Sequence, residues 1–253
     1  MEASAISKIV DDLFEVKATD AETSDSRWNW LYKVGGAAVL IIAVFIPIQI
    51  IVFVAWPPPS TVIGYFTLFQ NNRLLGLLDL DLLLIADTAL FIPMLLALYV
   101  ALRRVSESFM AIATTLGFFG IAAYFASNTA FNMLSLSDQY AAATTDAQRA
   151  MFLSAGQAML AIYQGTAFHV NYILGAVAPL IISVVMLRSG IFSKVTAYMG
   201  ILANVVAFGL YVPMIGILLS LISVVFLEIW YILIAQRLFH LGRSVPRGDV
   251  NPN

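Results

Sequence analysis

The chain has 253 residues, of which 61% are hydrophobic and only 11% charged, and its mean hydropathy is +0.90. A water-soluble domain carries roughly 25% charged residues, so this composition is typical of a protein that lies largely within a lipid bilayer. The net charge of −2 argues against a nucleic-acid partner, and the absence of cysteine excludes disulfides and thiolate metal ligands.

Residues 1–33 are predicted to form a cytoplasmic N-terminal segment. Apolar residues at helical spacing from Ile6 to Phe14 predict a short amphipathic helix. The acidic opposite face of that helix argues against binding to anionic lipid and favours packing on the protein's own cytoplasmic face. Trp28, Trp30 and Tyr32 follow, and they are interpreted as anchors at the membrane interface.

Six apolar runs are long enough to cross a bilayer as helices, which requires about 20 residues. They predict an all-α integral membrane protein, with a six-span helical bundle over residues 34–240. The predicted spans cover residues 34–56, 74–102, 109–130, 166–187, 195–213 and 215–238. Residues 241–253 contain two prolines near the end and are predicted to be a disordered cytoplasmic tail.

Two connections on the outer side carry helix signals. Prolines at 57–59 end the first span, and the apolar stretch 61–70 is too short to cross the membrane, so it is expected to lie along the outer interface or to re-enter the membrane slightly. In the second outer loop, residues 135–149, a helix-start signal lies at Thr144, Thr145 and Asp146. The helix that begins there either runs straight into the fourth span or breaks near Gly165.

The basic residues are distributed unequally between the two sides of the predicted membrane. Of the 13 Lys and Arg residues, all but Arg73 and Arg149 fall on the side of the termini. Cytoplasmic loops carry the excess of basic residues, so both termini are predicted to be cytoplasmic and the location to be the plasma (inner) membrane.

Four acidic residues, Asp79, Asp81, Asp87 and Glu228, lie within predicted spans and are therefore candidates for a functional role. At about 100° per residue, a continuous helix directs Asp79 and Asp81 to nearly opposite faces, whereas Asp79 and Asp87 can share one. Asp87 is the deepest of the three aspartates, without a basic residue nearby in sequence, and a functional or network role is favoured for it. Glu228 is interpreted either as functional or as a protonated structural residue.

Neutral polar residues gather in the outer halves of the third and fourth spans, at spacings that place them on shared helix faces. Together with two aspartates they predict an outward-facing polar pocket. The alternative is that the amides only join helices to one another, as they often do in lipid. The predicted ligand-binding residues are Asp79, Asp87, Tyr124, Asn128, Asn132, Gln164, His169 and Asn171.

Several kinds of chemistry are excluded or lack a motif. His169 and His240, the only histidines, belong on opposite sides of the membrane, which excludes a three-histidine zinc site and a bis-histidine haem site. No nucleophile elbow or phosphate-binding glycine loop occurs. No catalytic residues and no cofactor are therefore predicted, and a bound metal is left open.

The leading interpretation is a membrane protein that binds or translocates a small amphipathic molecule, a lipid or a cation through the pocket. A membrane-embedded lipid-modifying enzyme and a non-catalytic partner subunit are the alternatives. The expected partners are the lipid bilayer and that small ligand, with no nucleic acid, and homo-oligomerisation is left open.

Several short strings in the second half resemble a family of bacterial and archaeal multi-pass membrane proteins of unknown function, DUF family 4386. They lie at residues 140–149, 165–168, 185–189, 196–204 and 229–235. The resemblance implies a six- or seven-span inner-membrane protein, and it brings no activity or catalytic residues with it.

Overall fold

The computed structural model describes residues 26–243, and every regular element in that range is a helix. The all-α prediction is thereby confirmed, whereas the predicted helix near Ile6 and most of the predicted tail lie outside the described residues. The helices are α1 Asn29–Ala55, α2 Val62–Asn71, α3 Arg73–Asp79, α4 Leu82–Leu102, α5 Glu107–Ser127, α6 Ala130–Ala142, α7 Asp146–Tyr163, α8 Thr166–Arg188, α9 Lys194–Ala207 and α10 Gly216–Arg243.

Six helical stretches of the described chain are long and apolar enough to cross a membrane, which confirms the prediction of a six-span, multi-pass membrane protein. Two of them, of 36 and 43 residues, combine α5 with α6 and α7 with α8. The stretches are Asn29–Ala55, Leu82–Leu102, Glu107–Ala142, Asp146–Arg188, Lys194–Tyr211 and Gly216–Arg243.

The second span differs from the continuous helix predicted over residues 74–102. The candidate span begins only at Leu82, with α4, and the residues before it form the separate seven-residue helix α3 and a turn at residues 80–81. Asp81 adopts a left-handed backbone conformation, with φ 66°, which a helix cannot contain. Side chains from elsewhere in the chain hold this turn, so local helical propensity does not decide its conformation.

The second outer connection is much shorter than the predicted loop of residues 135–149. Helix α6 continues to Ala142, and only residues 143–145 separate it from α7. The predicted helix start is confirmed, because Thr145 forms a capping box with Gln148. Of the two alternatives left open for this helix, the structure shows the break near Gly165, since α7 ends at Tyr163 and α8 begins at Thr166.

The apolar stretch 61–70 lies almost entirely within α2, and a capping residue lies at each end of this helix. The hydroxyl of Thr61 accepts a hydrogen bond from the backbone N–H of Gly64, 3.2 Å away. At the other end, Asn72 donates its backbone N–H to Leu68 and accepts from the N–H of Leu75 through its side chain. Asn72 therefore ends α2 and begins α3 in a single residue.

The chain divides into two compact units. The first, here called the Asp81 unit, contains residues 44–89 and 119–172. Its hydrophobic core is centred on the fully buried Phe66 and Met133, from α2 and α6. The hydroxyl of Ser137 donates to the carbonyl of Phe66 at 2.9 Å, which helps to hold α6 in helical form beyond the predicted third span.

The second, here called the Trp230 unit, contains the described residues 26–43, 90–118 and 173–243. Its helices approach closely at Gly200 of α9. A Cβ atom added there would overlap the Ser183 hydroxyl of α8 and the Trp230 indole of α10, both fully buried. Glycine is therefore required at this position for the three helices to pack as they do.

Candidate functional site

Three helix interruptions fall within the Asp81 unit, at residues 80–81, 128–129 and 164–165. Each interruption leaves backbone groups without their usual helical partners. In a membrane protein such backbone is tolerated only where it is buried in protein or lines a water-filled cavity. The three interruptions are therefore the first place to look for a site.

Two amide side chains satisfy backbone carbonyls at the first interruption. Asn128, itself in the second interruption, donates through Nδ2 to the carbonyl of Leu80 at 3.0 Å. Gln49 of α1 donates through Nε2 to the carbonyl of Leu78 at 2.9 Å. These amides act as fixed donors that hold the turn open between α3 and α4.

Two further contacts connect the end of α7 to the other two interruptions. The hydroxyl of Thr129 donates to the carbonyl of Met159, in the last turns of α7, at 3.4 Å. The hydroxyl of Tyr163, the last residue of α7, donates to Oδ2 of Asp81. All three interruptions are thus connected through named side chains of one unit.

Asp81 lies in the turn itself, with 6% of its surface exposed. Its own carbonyl accepts the N–H of Ile85 at 2.9 Å and so begins α4. Burial raises the pKa of Asp81 from 3.8 to about 6; the hydrogen bond from Tyr163 opposes this rise, and the nearby charge of Asp79 adds to it. The Tyr163 hydroxyl therefore favours the ionised form of Asp81 against the effect of burial.

Asp79, the last residue of α3, is only 2% exposed. Its Oδ1 is buried and has no hydrogen-bond partner among the described residues. Burial raises the pKa of Asp79 from 3.8 to about 6. Asp79 is thus a buried carboxylate whose charged form the protein does not itself stabilise at Oδ1.

Tyr65 of α2 lies beside both carboxylates. Burial, together with the negative charges of Asp79 and Asp81, raises the pKa of its hydroxyl from 10.0 to about 12. The hydroxyl of Tyr124 also lies close enough to Asp81 to experience its charge, as does that of Tyr163. We call the group formed by Asp79, Asp81, Tyr65, Tyr124 and Tyr163 the carboxylate–tyrosine cluster.

Neither basic residue of the Asp81 unit is bound to the cluster. Arg73 pairs with Asp138 at 2.8 Å on the surface, where both side chains are more than half exposed. Arg149 is exposed at the start of α7. A positive charge that compensates the cluster would therefore have to come from a proton or a bound cation.

The residues predicted to line a pocket divide into two groups. Asp79, Asp87 and Tyr124 are buried, whereas Asn128 and Asn171 are half-buried. The remaining three of the predicted set are exposed, and they are Asn132, Gln164 and His169. Of the predicted set, Asn128 bonds to the carbonyl of Leu80, the residue after Asp79, and Asp87 acts on the Tyr124 hydroxyl through its charge.

Three residues of the cluster were not predicted as ligand-binding residues: Asp81, Tyr65 and Tyr163. A continuous helix would direct Asp81 away from Asp79, but the turn at residues 80–81 interrupts the helix between them. For Tyr163, the sequence offers one indication: it lies two residues before Gly165, where a helix break is one of the two alternatives. Tyr65 lies in an apolar segment whose sequence contains no indication of such a contact.

Glu228 belongs to the Trp230 unit and not to the unit that contains the cluster. It is half-buried, and its Oε1 has no hydrogen-bond partner among the described residues. Among the described residues, it belongs to no group of three or more His, Cys, Asp and Glu side chains that could hold a metal ion.

No family model, curated protein or solved structure matches this chain. The resemblance to DUF family 4386 therefore stays a prediction.

Proposed function

We propose that this multi-pass membrane protein translocates a small cation, which binds at the carboxylate–tyrosine cluster. One observation carries this proposal: Asp79 is 2% exposed, and its Oδ1 has no hydrogen-bond partner among the described residues. Asp81 lies two residues away, and both basic residues of the unit lie elsewhere. Two carboxylates in such surroundings favour the uptake of positive charge.

Among the ligands that the sequence leaves open, a small cation is supported better than a lipid or an amphipathic molecule. Sites for larger ligands are mostly apolar clefts of about 300–1,000 Å³ that contain only a few polar groups. The cluster instead consists of acidic and phenolic oxygens, and its residues Asp79, Asp81 and Tyr65 are at most 7% exposed. An enclosed group of oxygens suits a ligand of one or a few atoms.

The helix interruptions support translocation in addition to binding. In many transporters, ions bind where transmembrane helices are discontinuous, because the interrupted backbone and nearby side chains replace the water of the ion. The cluster lies at the turn between α3 and α4, at the start of the second candidate span, and contacts from Asn128 and Tyr163 connect it to interruptions within the third and fourth. This support is an analogy of architecture and not a likeness to a particular transporter.

The decisive experiment measures flux in proteoliposomes that contain the purified full-length protein. The probes are protons, followed with an enclosed pH-sensitive dye, and radioactive sodium, rubidium and methylammonium. We expect the wild-type protein to carry at least one of these faster than empty liposomes and Asp79→Asn to lose that flux. Asp138→Asn, which removes an exposed carboxylate of the same unit, is the matched control and should retain it. If the folded wild-type protein carries none of them, the proposal is wrong.

We further propose that the protein lies in the plasma membrane with both termini in the cytoplasm. The support is the distribution of basic residues, of which only Arg73 and Arg149 fall on the opposite side. A single cysteine introduced at Gln139 or at Ser189 can be labelled with a membrane-impermeant thiol reagent, because the natural chain has no cysteine. Gln139 is chosen for the outer side because it is exposed, whereas the nearby Ser137 is fully buried. Labelling of intact cells at Ser189 but not at Gln139 would contradict this topology.

A further inference from the structure

Every side chain that could contact a ligand in the carboxylate–tyrosine cluster offers oxygen. Asp79 and Asp81 supply carboxylates, and Tyr65, Tyr124 and Tyr163 supply hydroxyls. The nearby amides of Gln49 and Asn128 direct their nitrogen donors to backbone carbonyls. Hard oxygen ligands select hard metal cations over the softer metals that prefer nitrogen or sulfur.

The turn at residues 80–81 allows two carboxylates of one short sequence to serve the same ligand. On a continuous helix Asp79 and Asp81 would diverge, but the turn at residues 80–81, where Asp81 has φ 66°, interrupts the helix between them. The charges of both carboxylates act on the Tyr65 hydroxyl. The hydrogen bond from Tyr163 fixes the orientation of the Asp81 carboxylate.

Asp79 provides an independent indication of a ligand. Only 2% of its surface is exposed, and its Oδ1 has no hydrogen-bond partner among the described residues. Buried polar atoms in native proteins are nearly always satisfied, and an exception points to an ion or water that belongs at the site.

The enclosure of the cluster and its small number of oxygens favour a monovalent over a divalent metal ion. Calcium takes about 6–8 oxygen ligands, more than the cluster offers, and magnesium keeps several of its waters, for which so enclosed a site has little room. Within the described residues, no group of three or more His, Cys, Asp or Glu side chains could hold a metal ion. Two carboxylates with phenolic hydroxyls meet the weaker demand of an alkali-metal ion.

We propose that Asp79 and Asp81 together bind one alkali-metal cation, with the hydroxyl of Tyr65 as a further oxygen ligand. This inference rests on the proposed cation function and names the class of cation. Tyr163 is a positioning residue, since its hydroxyl acts on the ion only through Asp81. The described groups that interact with one or both carboxylates are neutral: Tyr65 of α2, Tyr124 of α5 and Tyr163 of α7. Asp87 of α4 acts on the Tyr124 hydroxyl.

The test measures the thermal unfolding midpoint of the full-length protein in detergent, as a function of added NaCl or KCl. N-methyl-D-glucamine chloride keeps the ionic strength constant, and a pH of about 8 keeps the carboxylates largely ionised. A ligand that binds only the folded state raises the midpoint with concentration. We expect this rise for the wild-type protein and for Asp138→Asn, and its loss in Asp79→Asn and in Asp81→Asn.

Tyr65→Phe tests the site even if an aspartate variant does not fold, since it keeps both carboxylates and the buried ring. It should still respond to the salt, with a half-saturating concentration raised about tenfold, as for loss of a supporting group at a metal site. Tyr65→Phe with an unchanged response would remove Tyr65 from the ligands and contradict that part of the proposal.

The unfolding and flux experiments together show whether the alkali-ion site, the cation function or both are wrong. If wild-type protein and Asp79→Asn respond equally to NaCl and KCl, or if only CaCl₂ stabilises the wild-type protein, the alkali-ion site is wrong. If, in addition, proton or methylammonium flux depends on Asp79, the proposed cation function stands while its ion class fails. Absence of both the stabilisation and every flux would reject both proposals.

Discussion

The hydroxyl of Tyr163 donates a hydrogen bond to Asp81, across 82 residues of sequence. Tyr163 ends α7 where the fourth candidate span is interrupted, and Asp81 lies in the turn that precedes the second. One side-chain contact therefore connects two interruptions, and Asn128 connects the third to the same turn through the carbonyl of Leu80. The position of each carboxylate in the cluster depends on these long-range contacts.

Removal of the Tyr163 hydroxyl should destabilise the protein measurably. Tyr163→Phe keeps the ring but leaves Asp81, which is 6% exposed, without this donor. The cost of leaving a buried acceptor unsatisfied is about 1–3 kcal/mol, and we expect a loss of that size in chemical or thermal unfolding in detergent. Tyr198→Phe is the control, because Tyr198 is 53% exposed and should tolerate the change. Equal effects of the two changes would show that the Tyr163–Asp81 bond contributes little.

The two carboxylates should make the stability of the ion-free protein depend on pH. Burial raises the pKa of Asp79 and that of Asp81 from 3.8 to about 6, so the folded state binds these protons more tightly than the unfolded state. The resulting stabilisation is complete below about pH 4 and is lost as the pH rises through about 6. In buffer without metal cations, we expect the unfolding midpoint to fall between about pH 5 and pH 7.

The same titration in Asp79→Asn should show a smaller fall, because one of the two shifted groups is removed. Asp138→Asn should keep the full wild-type slope, because that exposed carboxylate is paired with Arg73 at the surface. A wild-type slope in Asp79→Asn would mean that the pH dependence arises from other groups.

Because the backbone of Asp81 is left-handed, the stability of variants at this position should depend on how readily the new residue accepts a positive φ. Asparagine accepts a positive φ more readily than alanine, for which the left-handed conformation costs roughly 1–2 kcal/mol. Because φ is 66° at this residue, we expect Asp81→Asn to be more stable than Asp81→Ala by about 1 kcal/mol in unfolding experiments. An Asp81→Ala variant as stable as Asp81→Asn would indicate that the turn rearranges without cost.

Close packing at Gly200 predicts a pair of opposite outcomes in the Trp230 unit. Gly200→Ala would place a methyl group against Ser183 and Trp230, and overpacking of this kind costs about 1–3 kcal/mol. Gly175→Ala is the matched control, since an added Cβ there meets nothing within 4 Å and alanine is the better helix former. Unfolding midpoints should therefore fall for the first variant and stay constant or rise for the second.

Asp87, which the sequence favours for a functional or network role, is 2% exposed in the structure. Asp87→Asn should fold, because an amide can make hydrogen bonds at the same place. Asp87→Leu should assemble less well, since it leaves the neighbouring polar groups without a partner. The yield and unfolding midpoint of the two variants in detergent decide this, and two variants equal to the wild-type protein would make Asp87 a tolerated polar residue.

The spans could be predicted from sequence because each depends only on the hydropathy of its own segment. The start of α7 was also accessible, since Thr145 and Gln148 form a capping box within four residues of sequence. The break near Gly165 could be anticipated from the glycine. These features depend on residues close together in sequence, so a single sequence is enough to predict them.

The turn at residues 80–81 could not be predicted in the same way. Neither proline nor glycine occurs at these two positions, and the donors that hold the turn, Gln49 and Asn128, lie 29 and 48 residues from their acceptors. Helical periodicity applied across the turn therefore separated Asp79 from Asp81. The prediction of polar residues in this region was useful, but the exposed Asn132, Gln164 and His169 show that helix spacing alone does not decide which of them are enclosed.

The short connection at residues 143–145 has a consequence for electron microscopy of this 27.6 kDa protein. Small membrane proteins are hard to align because the detergent micelle conceals most of their outline. Helix α5 alone has 21 residues, which at about 1.5 Å per residue matches the roughly 30 Å of the hydrocarbon core, and α6 adds a further 13 residues. Helices α6 and α7 pack against each other, so a rigid helical fusion replacing this connection would give the particle an orientation marker.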